Sequence, residues 1–162
     1  ILYNVPGRTG CGISERVVEQ LSHHPNICGI KEASGSISFA ARIARYVNED
    51  FAMYSGNDDM ITSMLALGAS GVISVLANVV PKETHDIVVR WHDGDVTASR
   101  NAQLRYLDLI KALFCEVNPI PVKAAMNLMG MEVGGYRYPL CEMMPDTYEK
   151  LRKVMEDYGL CA

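Results

Sequence analysis

Ile27-Cys28-Gly29-Ile30-Lys31-Glu32 is a short apolar run that ends abruptly in two charges. It shows no clean in–out alternation, which fits a strand buried on both faces of a parallel sheet. Runs at 1–5, 51–54 and 71–76 share this character, and the four begin at residues 1, 27, 51 and 71. Helical patterns fill the gaps between them. Ser14 is placed to cap a helix carrying Val17, Val18 and Leu21, with Pro25 just past its end. Ser36 or Ser38 caps a second, with Phe39, Ile43 and Val47 on its buried stripe. Asp58 or Asp59 caps a third, with Ile61, Met64, Leu65 and Leu67, and Gly68 stops it. Pro81 suits the first turn of a fourth, which carries Ile87, Val88 and Trp91. Successive βα units define an α/β fold with right-handed crossovers. The period alone leaves two architectures open, a doubly wound sheet and half of a (β/α)8 barrel.

From Asp95 onward no strand-like run appears. Residues 96–114 read as one long helix with Leu104, Leu107, Ile110 and Leu113 on one face. Pro119-Ile120-Pro121 interrupts the pattern and opens a shorter helix over 122–129. A loop rich in Gly and Tyr spans 130–139, and a last helix covers 145–158. The expected division is therefore four βα units over residues 1–94 and a three-helix appendage over 95–162.

Composition narrows the function classes. The 162 residues carry 15 Lys and Arg against 19 Asp and Glu, a net charge of −4. A nucleic-acid surface would need clustered positive charge. The apolar runs are far shorter than the roughly 20 residues that span a bilayer, and no basic segment precedes an apolar one as in a signal peptide. The five cysteines are odd in number and form no C-x-x-C pair, so free thiols in a reducing cytoplasm are expected, with no disulfide framework and no zinc site. His23-His24 falls at a helix end and is assigned no metal. The glycines of Pro6-Gly7-Arg8-Thr9-Gly10-Cys11-Gly12 miss the G-x-G-x-x-G spacing of a nucleotide loop. The chain opens on an apolar run with no initiator Met, which reads as a strand entered partway and as part of a longer gene product.

Polar residues gather at the C-terminal ends of the strands, where parallel α/β folds bind ligands. Lys31 leaves its strand at that edge. A desolvated lysine there has a lowered pKa, and its free amine can attack a ketone to form a Schiff base. The plainer alternative pairs it with a carboxylate, Glu32 or Asp58. Tyr3, ending the neighbouring strand, is placed to move protons for such an amine. Its alternative is a packed ring with a hydrogen-bonded hydroxyl. Arg8 follows the first strand and suits a carboxylate, or is simply a solvated loop residue. Gly56 allows close backbone approach to a ligand, or serves only a turn.

Together these residues resemble a known family. Tyr3-Asn4-Val5-Pro6-Gly7-Arg8-Thr9-Gly10 and Gly29-Ile30-Lys31-Glu32-Ala33-Ser34-Gly35 are similar to two signatures of the dihydrodipicolinate synthase family. Ser55-Gly56-Asn57-Asp58, Gly71-Val72-Ile73-Ser74-Val75 with Ala77-Asn78, and Asn118-Pro119-Ile120-Pro121-Val122-Lys123 also match in order and spacing. The resemblance implies the second half of a (β/α)8 TIM barrel, strands five to eight, followed by the helical extension. It implies a pyruvate-dependent Schiff-base lyase of lysine (diaminopimelate) biosynthesis. Lys31 would form the imine and Tyr3 would relay protons. Arg8 would hold the carboxylate of aspartate semialdehyde, and Gly56 and Ile73 would line the pyruvate site. No metal or organic cofactor is implied. Sialic-acid lyases and sugar-acid aldolases of the same superfamily are the alternative, though they generally lack the arginine. Family members are close to twice this length. The absent half would hold a threonine pair for the pyruvate carboxylate and a tyrosine reaching in from a neighbouring subunit of a homo-oligomer, often a tetramer. The resemblance therefore predicts a partial site that needs its N-terminal half, or a second copy, as partner and is inactive alone. A reading of another class is a non-catalytic fragment that only folds and associates.

Overall fold

The computed structural model describes residues 1–161. Strands β1 (Leu2–Asn4), β2 (Gly29–Glu32), β3 (Ala52–Ser55) and β4 (Gly71–Val72) form one sheet in sequence order. Every pairing is parallel. Between β1 and β2 run α1 (Pro6–Thr9) and α2 (Glu15–Leu21). Then α3 (Ile37–Ile43) follows β2, α4 (Ile61–Ala66) follows β3, and α5 (Pro81–His92) follows β4. The expected α/β succession is present, with each strand shorter than its apolar run.

Residues paired across a sheet share a face, and successive residues alternate. Leu2, Ile30 and Met53 form the row that packs with Val18 of α2 and with Ala40 and Ile43 of α3. The neighbouring row, Tyr3–Lys31–Tyr54, takes the opposite face. That face is open rather than buried on both sides as the apolar runs suggested, and Tyr3 is 48% exposed; half a barrel would leave such a face uncovered.

Two of the expected caps are made. Ser14 Oγ accepts the Val17 N–H at 3.4 Å, and Ser36 Oγ accepts the Phe39 N–H at 3.2 Å. Such caps satisfy N–H groups that a helix start leaves unpaired. Pro81 opens α5, and Gly68 (φ +90°) ends the α4 turn in the left-handed region as predicted. The third cap is a correction. Residues Asp58–Met60 form a 3-10 turn, and no side chain caps α4. The Asp58 carboxylate is used elsewhere.

The helical segment also differs from expectation. The single helix read over 96–114 is two, α6 (Val96–Arg105) and α7 (Leu107–Leu113), broken at Tyr106 (φ −98°, ψ 6°). Two tethers accompany the break. The Gln103 amide accepts the Thr62 N–H at 2.7 Å and donates to the Asp59 carbonyl at 2.6 Å, tying the end of α6 to the start of α4. Tyr106 is buried and stacks on Tyr158, with centroids 5.5 Å apart. The break turns Leu104 outward, to 54% exposure, while Ile110 and Leu113 stay buried. With α8 (Ile120–Leu128) and α9 (Pro145–Asp157), four helices instead of three follow residue 95 among the described residues. Their core joins Leu109, Leu113, Val122, Ala125, Leu151 and Met155 to Leu76 and Val79 from the βα region. Among the described residues no helix is long and apolar enough to cross a membrane. All five cysteines are unpaired.

Candidate active site

The sheet register creates the site. Tyr3 on β1 lies opposite Lys31 on β2, and Lys31 lies opposite Tyr54 on β3. Lys31 Nζ sits 4.3 Å from the centroid of the Tyr3 ring. The ring's negative face attracts the ammonium. The phenol thus meets the amine first through its face rather than its hydroxyl. Lys31 is half-buried, less enclosed than its position after Ile30 suggested.

Neither carboxylate offered as a partner for Lys31 takes that role. Glu32 is 3% exposed and receives two donors, Asn4 Nδ2 at 2.6 Å and the Ser34 N–H at 2.6 Å. Asn4, 2% exposed, accepts the Ile13 N–H through its oxygen at 2.9 Å. This buried chain locks the ends of β1 and β2 one residue beyond Tyr3 and Lys31. Asp58 accepts the N–H groups of Val75 and Leu76. Among the described residues Lys31 joins no ion pair.

Gly56 closes the site on the β3 side. Its N–H donates to the Glu32 carbonyl at 2.7 Å. A Cβ there would stand 2.5 Å from Ala33 Cβ and 3.1 Å from Lys31 Cε. A side chain at 56 would thus collide first with Ala33 and would also crowd the Glu32 carbonyl and the lysine stem. Gly56→Ala should push Lys31 aside and cost about 1–3 kcal/mol by overpacking. Thermal unfolding of the variant, together with the rate at which Lys31 reacts with a ketone, measures both effects. An unchanged melting temperature with an unchanged rate would show that the contact yields freely.

Arg8 and Ile73 are held differently. Arg8 lies on α1, where the sequence suggested an open loop, and a guanidinium nitrogen donates to the Asn118 carbonyl at 3.1 Å. The Ile73 N–H donates to the Ser55 carbonyl at 2.9 Å, extending the β4 pairing by one rung. Direct contacts thus unite Tyr3, Lys31 and Gly56, while Arg8 is anchored before α8 and Ile73 beside β3. A 460 Å³ cavity lies between Gly56, Asp58 and Asp59 on one side and Leu107, Lys111 and Phe114 on the other. Sequence reasoning missed the Asn4–Glu32 link, the Asn118 anchor and the use of Asp58. The adjacency of Tyr3-Asn4 and Lys31-Glu32 at two strand ends was the available signal for the first.

An arrangement of this kind, at the C-terminal edge of a parallel sheet, suits covalent capture of a carbonyl compound. Residues 1–158 match the Dihydrodipicolinate synthetase family. The chain belongs to that family. It is 54% identical over 160 residues to the 4-hydroxy-tetrahydrodipicolinate synthase of Acetivibrio thermocellus, covering 99% of this chain and 54% of that relative. Among solved structures it resembles DHDPS from Cyanidioschyzon merolae with lysine bound, with TM-score 0.93 and 40% identity, covering 98% of this chain and 54% of that one. It also resembles the chloride-inhibited dihydrodipicolinate synthase from Acinetobacter baumannii complexed with pyruvate, with TM-score 0.92 and 38% identity, covering 98% and 55%. The chain thus spans about half the length of these dihydrodipicolinate synthetase family members.

Proposed function

We propose that this chain carries the Schiff-base half of a synthase that condenses pyruvate with aspartate 4-semialdehyde in lysine biosynthesis. The observation that carries the reading is Lys31, free of any carboxylate partner among the described residues and set against Tyr3 at the ligand-binding edge of the sheet. The relatives' names and the pyruvate in the Acinetobacter baumannii structure support it.

In this reading the neutral Lys31 amine attacks the pyruvate ketone, and the C–N bond forms as the carbonyl oxygen takes up a proton. Loss of water gives the imine. The protonated imine withdraws electrons, so a methyl proton departs and an enamine results. That enamine carbon attacks the semialdehyde's aldehyde carbon, and the new alkoxide takes a proton. The product's own amine then displaces Lys31 and closes the ring. Tyr3 carries protons in these steps, which requires its hydroxyl to approach the reacting atoms. Arg8 binds the semialdehyde carboxylate with the guanidinium nitrogens that Asn118 leaves available. Gly56 and Ile73 line the pyruvate side. The covalent imine is the only electron sink that this chemistry uses.

The four strands, parallel and in sequence order, are read as half of an eight-stranded barrel, and the four helices after residue 95 as its C-terminal extension. The other half would cover the face that exposes Tyr3, close both sheet edges and complete the site. It is the partner proposed here, within a homo-oligomer. Borohydride reduction in the presence of pyruvate, followed by peptide mass mapping, tests the function. The measurement is made on this chain alone and joined to the N-terminal half of the Acetivibrio thermocellus relative. One reduced pyruvate on Lys31 is expected in the joined protein and little in the chain alone. Modification at a different lysine, or none in the joined protein, would overturn the assignment.

A further inference from the structure

Asp58 lies two residues after Gly56, is 2% exposed and has no cationic partner among the described residues. Its Oδ2 accepts the N–H groups of both Val75 and Leu76, each at 3.0 Å. Those two donors begin the 3-10 turn Leu76–Asn78, just beyond Ile73. The regular ladder between β3 and β4 ends with the Ile73 N–H on the Ser55 carbonyl. Past that rung, the Asp58 carboxylate is what holds the two loops together. Without it, two N–H groups, one of them buried, would lose their acceptor, a cost that a fold avoids.

The neighbours explain how a buried carboxylate is tolerated there. Burial pushes the Asp58 carboxyl up, and the negative charge of Asp59 adds to this. Hydrogen bonds from Ser74, Leu76 and Val75 act in the opposite sense. Its other oxygen, Oδ1, is buried with no partner. Its two backbone hydrogen bonds are therefore made through one oxygen, Oδ2.

We propose that Asp58 is a positioning residue for the pyruvate site: it fixes the Ile73 loop against the Gly56 loop so that both present their backbone to the ligand at Lys31. The proposal rests on the pyruvate reading above and assigns Asp58 a role distinct from contact with substrate. Because both backbone donors converge on Oδ2, an amide oxygen can replace it there. Asp58→Asn should keep the tether, whereas Asp58→Ala should lose it.

The test uses the chain joined to the N-terminal half of the Acetivibrio thermocellus relative. Trapped adduct on Lys31 is measured against pyruvate concentration, and amide hydrogen exchange is followed at Val75, Leu76 and Lys31. Loss of the two hydrogen bonds from Val75 and Leu76 corresponds to about a tenfold or larger change in an equilibrium. In Asp58→Ala the half-saturating pyruvate concentration should rise about tenfold while the final adduct yield on Lys31 is unchanged. Val75 and Leu76 should exchange faster, with Lys31 unaffected. Asp58→Asn should restore both readouts. Unchanged half-saturation in Asp58→Ala would overturn the proposal, as would an Asp58→Asn variant as impaired as Asp58→Ala. If Asp58→Ala does not fold, the asparagine variant decides alone: near-normal half-saturation and slow exchange at Val75 and Leu76 support the tether, and their loss refutes it. Absence of adduct in the unmutated protein would instead sink the Schiff-base reading.

Discussion

Lys31→Ala is expected to abolish the proposed pyruvate adduct, and condensation activity in the joined protein should fall by orders of magnitude with it. Among the described residues Lys31 is the lysine set over the Tyr3 ring, whereas Lys111 lines the far wall of the cavity beside Gly56. Lys31→Arg should fail equally, because a guanidinium stays protonated and offers no lone pair. The fold should survive both changes. Lys31 is only half-buried, its charge makes no ion pair among the described residues, and the sheet is held by backbone ladders and by Ile30 and Met53 on the other face. Intact mass after borohydride reduction and thermal unfolding separate the two effects. A persistent adduct in Lys31→Ala would refute the role of the residue. A large loss of stability would mean that Lys31 is chiefly structural.

Glu32→Gln is the second large effect, and it acts on folding. Both oxygens of Glu32 receive donors, one from Asn4 and one from Ser34. An ionised carboxylate only accepts, but a glutamine amide must place its NH2 against one of those donors. Asn4 cannot turn over to help, because its oxygen already accepts the Ile13 N–H. One buried donor is left facing another, which costs about 2–3 kcal/mol. In a domain of this size that lowers the melting temperature by roughly 4–12 °C. Thermal unfolding of Glu32→Gln checks it. A melting temperature equal to that of the unmutated chain would mean that the Asn4–Glu32–Ser34 chain contributes nothing. The same acid-to-amide change is expected to be tolerated at Asp58, where both backbone donors meet one oxygen, and rejected at Glu32, where the donors meet two.

The strands were legible because a parallel sheet buries short apolar runs whose polar ends stand out. The caps at Ser14 and Ser36 were legible because a hydroxyl three residues ahead of a helical N–H is a local signal. Tyr3 and Lys31 could be placed at one edge because their strands follow one another, but Gly56 joined them only through the family resemblance, since the βα period leaves strand order and register open. What could not be read depended on long-range partners. Asp58 looks like a helix cap from its neighbours in sequence, yet it serves the loop after β4. The helix over 96–114 keeps its period in sequence, but Gln103 finds partners at the start of α4 and Tyr106 stacks on Tyr158 just after α9, contacts that accompany its break. Arg8 reads as a loop residue until Asn118 comes round to meet it.

That last contact stands apart in the economy of chain closure. Each strand of the sheet pairs with its neighbour in sequence, so each pairing closes a modest loop and can form early. The Arg8–Asn118 hydrogen bond spans 110 residues. Such a closure gains its reward only after the intervening helices are in place. The orientation of the guanidinium therefore depends on a closure across most of the sequence, while the lysine and tyrosine are set by neighbouring strands, β1 to β3.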